Sequence, residues 1–177
     1  MKQRGFTLVE LMVTLLVAGI LVTISYPSLS RFFRDNQLSS QASELQSLLV
    51  TARNYALSYQ VPVVVCPLSG SSCTSSWGKE ITAFADTNGN GQKDGSDETL
   101  LTMGATTLTR YFSQSSIRYT ADGTLASTPG TVELCEGSDN TLYNGVVITL
   151  SGRSRTATDD NDDGVRDDDA GASIDCH

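Results

Sequence analysis

Residues 86–97, Asp86-Thr87-Asn88-Gly89-Asn90-Gly91-Gln92-Lys93-Asp94-Gly95-Ser96-Asp97, set side-chain oxygens at alternate positions, the pattern by which a loop wraps a hard cation. Asp86, Asn88 and Asn90, the carbonyl of Gln92, then Asp94 and Asp97 follow the EF-hand spacing, with Gly91 at the sharp turn. The last ligand position is aspartate rather than glutamate, a shorter reach for a bidentate ligand, and the flanks read as strands. The same residues also suit a plain hairpin loop, because Gly, Asn and Asp tolerate positive φ and bond their own backbone. No cofactor is required by the sequence, and calcium is the one this loop could take. The tail repeats the start of that pattern at Asp159-Asp160-Asn161-Asp162-Asp163-Gly164, but Ala170 stands where the last acid belongs. Such an acidic run ordinarily stays solvated or disordered.

Gly152-Arg153-Ser154-Arg155 is the second chemical signal. In an extended segment alternate side chains share a face, so the guanidiniums of Arg153 and Arg155 can meet successive phosphates. The alternative is a pair of exposed arginines neutralising the neighbouring aspartates. Charge opposes the phosphate reading, since nucleic acid attracts basic surfaces and this chain carries a formal charge of −8. From Ala157 onward, eight acids against Arg166 contribute −7 of that charge, so the repulsion is concentrated beside the arginines.

Catalytic chemistry finds little support. The only histidine is His177, which leaves no Ser-His-Asp or Cys-His arrangement and makes zinc a weak reading in the absence of C-x-x-C. The four cysteines Cys66, Cys73, Cys135 and Cys176 allow three connectivities. Local spacing favours Cys66 with Cys73, clipping a short loop, and Cys135 with Cys176, tying down the end of the chain.

A long helix must come first among the elements. A basic leader, residues 1–5 with Lys2 and Arg4, runs into an apolar stretch, residues 6–26, whose single charge is Glu10. At ~1.5 Å rise per residue this stretch spans a hydrocarbon core of about 30 Å, which reads as a transmembrane helix. A secretory signal would be shorter and would end in small residues. An unpaired carboxylate at mid-bilayer costs about 3 kcal/mol, so Glu10 calls for a positive partner outside its own helix. Pro27 is expected to bend or weaken the helix. The amphipathic half, residues 27–59, follows, with Leu38, Ala42, Leu45, Leu49, Ala52, Ala56 and Tyr59 spaced alternately by four and three. Residues 60–177, a β-rich head with an acidic tail, complete one domain of about 145 residues outside the span. Strands are predicted at 61–66, 80–86, 98–103, 117–120, 131–135 and 146–150.

Gly5-Phe6-Thr7-Leu8-Val9-Glu10 before an apolar helix resembles the prepilin signature of type IV pilins and pseudopilins. The resemblance implies cleavage between Gly5 and Phe6 by the prepilin peptidase and N-methylation of Phe6. It also implies pairing of Glu10 with the N-terminal amine of a neighbouring subunit. Arg53-Asn54-Tyr55-Ala56, strand 61–66, Trp77-Gly78 and Phe84-Ala85-Asp86 together resemble the GspH/FimT/FimU branch of minor pilins and pseudopilins. The implied fold is α+β, the type IV pilin fold, with a long N-terminal helix packed on antiparallel sheet. The implied partners are other pilins or pseudopilins and the inner-membrane assembly platform. The implied location is the inner membrane, single-pass with a periplasmic head, and then the pilus at the cell surface. No enzymatic activity is implied. Gly152-Arg153-Ser154-Arg155 matches the G-R-x-R pattern of DNA-binding FimT-type minor pilins, which extends the implied role to DNA uptake in natural transformation. A GspH-like pseudopilin of a type II secretion system is the competing member of the branch.

Overall fold

The computed structural model describes residues 7–136, 142–162 and 165–174, with the side chains of residues 22 and 24–28 left aside. Gly5, Phe6 and Cys176, on which the processing site and one disulfide were expected, lie outside the described residues, as do Asp163 and Gly164 of the tail. The chain forms two compact units, Met1–Asn36 and Gln37–His177, and α1 (Leu8–Tyr59) supplies helix to both.

In the first unit, α1 is apolar and exposed from Leu8 to Leu21, interrupted by Glu10, Thr14 and Gly19. Among the described residues no helix is long and apolar enough to cross a membrane. The apolar run in the sequence reaches Phe6 on one side and the side chains of 22 and 24–28 on the other, all outside that description. The helix opens on Thr7, whose Oγ1 accepts the Glu10 N–H at 3.3 Å while its carbonyl accepts the Leu11 N–H at 3.2 Å. This N-cap satisfies donors that the first turn cannot, and Glu10 in that turn complements the helix dipole. The helical state continues through Pro27, so the proline does not end the element.

In the second unit, Leu38, Ala42, Leu45, Leu49, Ala52 and Ala56 have no exposed surface. Tyr59 departs from the predicted stripe: it is 65% exposed and stacks on Tyr55 with ring centroids 4.3 Å apart. The helix is ending there, because Gln60 takes φ 55° and Pro62 cannot continue it.

Nine strands follow among the described residues: β1 (Val63–Ser69), β2 (Ser72–Cys73), β3 (Ile81–Ala85), β4 (Thr99–Met103), β5 (Thr109–Tyr111), β6 (Ile117–Tyr119), β7 (Gly130–Cys135), β8 (Tyr143–Ile148) and β9 (Ser154–Thr156). They make two antiparallel sheets, one ordered β2-β1-β3-β4 with β6 also on β1, the other β5-β7-β8-β9. Alternate residues of both sheets join the helix stripe in one core: Val63, Val65, Ile81, Ala83 and Ile117 from the first sheet, Val132, Leu134, Val146 and Ile148 from the second. Val64, Cys66 and Phe84, on the opposite face of the first sheet, form a small cluster of their own, which is why β1 is buried on both sides. Cys66 and Cys73 are joined, with Cα atoms 5.5 Å apart, closing the β1–β2 hairpin. Cys135 is also disulfide-bonded.

Arg110 carries a structural role with no signal in the sequence. It is 4% exposed, and its Nη2 donates to the carbonyls of Gly78, Lys79 and Gly104 at 3.5, 2.9 and 2.8 Å. Burial pushes its pKa down, opposed by the Glu44 carboxylate.

Candidate functional site

Arg153 and Arg155 emerge from a turn that the rest of the head holds in place. β8 and β9 pair Val146 with Thr156, Val147 with Arg155 and Ile148 with Ser154. The connection closes through Gly152 N–H to Thr149 O at 2.8 Å and Thr149 N–H to Arg153 O at 3.0 Å. Gly152 sits at φ 77°, and a Cβ there would collide with the Gly123 carbonyl oxygen and stand 2.9 Å from Arg53 Nε. Only glycine fits both the dihedral and the space.

Arg53, reaching from α1, fastens the two turns that meet at this point. Its Nε donates to Gly123 O at 2.9 Å and its Nη2 to Ser151 O at 3.3 Å. Leu125 N–H adds a bond to Leu150 O at 3.0 Å. On the Gly123 side, Asp122 accepts from the hydroxyls of Thr120 and Thr124, which hold its carboxyl at about 2. In the sequence Arg53 stands out only as part of a family pattern, and its spatial link to residues 123 and 151 has no local signature.

The predicted alternation holds. Arg153 and Arg155 are exposed, while the Ser154 hydroxyl between them is buried and the Ser154 carbonyl lies 3.4 Å from Gln46 Nε2 of α1. The two guanidiniums differ in their surroundings. Arg155 donates from Nη1 to Thr158 Oγ1 at 2.9 Å, and its Nη2 meets Asp160 Oδ2 at 3.4 Å. Among the described residues the Arg153 guanidinium has no hydrogen-bond or ion-pair partner.

The acidic segment departs from the solvated tail expected of it. Asp167 has no exposed surface and its carboxylate accepts from Asp160 N at 2.7 Å and Asn161 Nδ2 at 3.3 Å. Its own N–H bonds Thr158 O at 2.8 Å. Arg166 Nη1 donates to Ala157 O at 2.8 Å, Asp169 N–H to Thr131 Oγ1 at 3.0 Å, and Ile174 packs with Ala157 and Val147. Local acceptors and one apolar anchor therefore order a segment whose charge alone would keep it in solvent.

The loop 86–97 turns its oxygens toward its own donors. Asp86 accepts from the N–H groups of Asn90 at 3.1 Å and Gly91 at 2.8 Å, and Asp97 from Thr87 at 3.2 Å and Asp94 at 3.1 Å. Asp94 accepts from Ser96 Oγ at 2.6 Å and Asn88 Nδ2 at 2.7 Å, and these bonds, that from Ser96 foremost, lower its pKa to about 2. Asn90 Oδ1 takes the Gln92 N–H at 2.7 Å, and Gly89 and Gly91 both adopt φ 72°. These are the bonds to the local backbone that Asn and Asp make in a hairpin loop. Among the described residues no group of three His, Cys, Asp or Glu side chains is placed to hold a metal ion.

Residues 41–154 match the family described as Type II transport protein GspH, and residues 1–26 match the prokaryotic N-terminal methylation motif. Among solved structures, the chain is similar to two crystal forms of the type IV minor pilin FimU of Pseudomonas aeruginosa strain PAO1. Both give a TM-score of 0.56 at 24% identity; one alignment covers 68% of this chain and 93% of that one, the other 72% and 92%. At that identity the likeness bears on the fold alone, α+β with a helix packed on antiparallel sheets. No curated relative matches the chain.

Proposed function

The chain belongs to the GspH family of minor pilins and pseudopilins, and from that premise we propose that it is a minor type IV pilin, a structural subunit whose β8–β9 turn contacts DNA through Arg153. The exposed Arg153 guanidinium, without a partner among the described residues and on a turn fastened by Gly152 and Arg53, carries the proposal. A positioned cation costs less entropy to engage a phosphate than one on a loose loop. Membrane anchoring through residues 6–26, cleavage between Gly5 and Phe6, methylation of Phe6 and pairing of Glu10 with a neighbouring subunit's amine belong to the same proposal, supported by the methylation-motif match. Pilins, the prepilin peptidase and the assembly platform are then its partners.

The DNA test uses the full chain in nanodiscs and a duplex of mixed sequence at several salt concentrations. Binding is expected to weaken with salt, and Arg153→Ala to lower it across sequences while reducing the salt slope by about one counterion. Equal binding by Arg153→Ala, or none by either protein, would remove DNA from the role. The family description favours a second reading, a pseudopilin of a type II secretion system. Deleting the gene separates the two: loss of surface pili supports the pilin, whereas loss of exported proteins with pili intact supports the pseudopilin.

A further inference from the structure

We propose that Asp160 is a built-in competitor for Arg155, so that the two arginines of the turn are unequal ligands and a phosphate reaching Arg155 competes with the Asp160 carboxylate already there. The inference rests on the DNA reading above and specifies how that site is set. A guanidinium offers the same planar fork of donors to a carboxylate as to a phosphate. Asp160 therefore occupies Arg155 with the chemistry that DNA would bring, at 3.4 Å from Nη2.

The carboxylate is not there by chance encounter. Asp160 is held through its own N–H on the buried Asp167, 2.7 Å away, and Asp167 in turn binds the backbone of Thr158 at 2.8 Å. Thr158 completes the arrangement, donating its hydroxyl to Asp160 Oδ1 at 2.8 Å while accepting Arg155 Nη1 at 2.9 Å. Both members of the pair are about half exposed, at 45% and 57%, so the competition is modest. A surface pair contributes at most about 1 kcal/mol, which converts to a change in affinity of about two- to fivefold.

The experiment compares the full chain in nanodiscs with Asp160→Asn, which keeps the shape but removes the charge. Asp162→Asn serves as control, because it removes the same charge from the same segment at an exposed residue with no contact to Arg155 and an Asn-compatible φ of 62°. Duplex DNA and immobilised heparin, a polyanion that is not DNA, are the probes. Asp160→Asn is expected to bind DNA about two- to fivefold more tightly than Asp162→Asn. Adding Arg155→Ala should erase that gain. Equal behaviour of the two asparagine variants on both probes would overturn the competition. If no variant binds DNA, later elution of Asp160→Asn alone from heparin, reversed by Arg155→Ala, would sustain the competition and end the DNA reading.

Discussion

Gly152 shows how much of the turn rests on a single residue. It combines a left-handed φ with a contact so close that the Gly123 carbonyl and Arg53 Nε occupy the space of any Cβ. Gly152→Ala must move one of the two turns, and the φ strain alone costs roughly 1–3 kcal/mol. A lower midpoint in thermal or urea unfolding is the expected result, and the Arg53 side chain should lose its bond to Ser151. An unchanged midpoint would mean that the turns are not packed as described. The glycine was visible in the sequence beside the two arginines, and their shared face followed from strand alternation. What packs against Gly152 was not visible, because Arg53 and Gly123 come from distant parts of the chain. The Asp160–Arg155 pair was legible only as proximity of opposite charge. That Asp167 fixes the carboxylate is a fact of tertiary hydrogen bonding.

At the scale of elements, the helix was the most legible feature because its apolar spacing is sustained over several turns. Leu38 through Ala56 lie as the period requires, and the stripe fails only at Tyr59, where the helix stops. The longer strands also declared themselves by β-branched runs. β5 and β9, Thr-Arg-Tyr and Ser-Arg-Thr, lack the apolar-polar-apolar alternation of Ile117-Arg118-Tyr119, and β9 pairs along β8. β8 begins at Tyr143 rather than Val146, since all six residues of β7 find partners along it, and ends at Ile148 because the Gly152 turn takes the next residues. The packing of the helix on both sheets gives a direct test. Leu49 is fully buried in the shared core, so Leu49→Ala should cost about 2–5 kcal/mol, read as a fall in the urea midpoint with little change in slope. The same change at Val50, 41% exposed, should stay within roughly half a kcal/mol.

For the whole molecule, the two units differ in where their apolar residues lie. The head buries most of its apolar residues in a main core and two small clusters, whereas Leu8, Val9, Leu11, Met12, Leu15 and Leu16 all stand more than half exposed. So large an apolar surface marks contact with lipid or with other helices. Both environments suit a subunit that waits in a membrane and is then drawn into a fibre. On the proposed processing, the leader would take Lys2 and Arg4 with it, so that the formal charge would go from −8 to −10 and an amine close to Glu10 along the chain would be freed. The amine of a neighbouring subunit would then supply the partner that a carboxylate in an apolar setting requires. Gly5→Ala should therefore accumulate the unprocessed chain. Intact mass is the readout: the native protein should lack residues 1–5 and carry one added methyl group, and the variant should keep the leader without the methyl. Equal proportions of long and short forms in the two would place the processing elsewhere and leave Glu10 without its proposed partner.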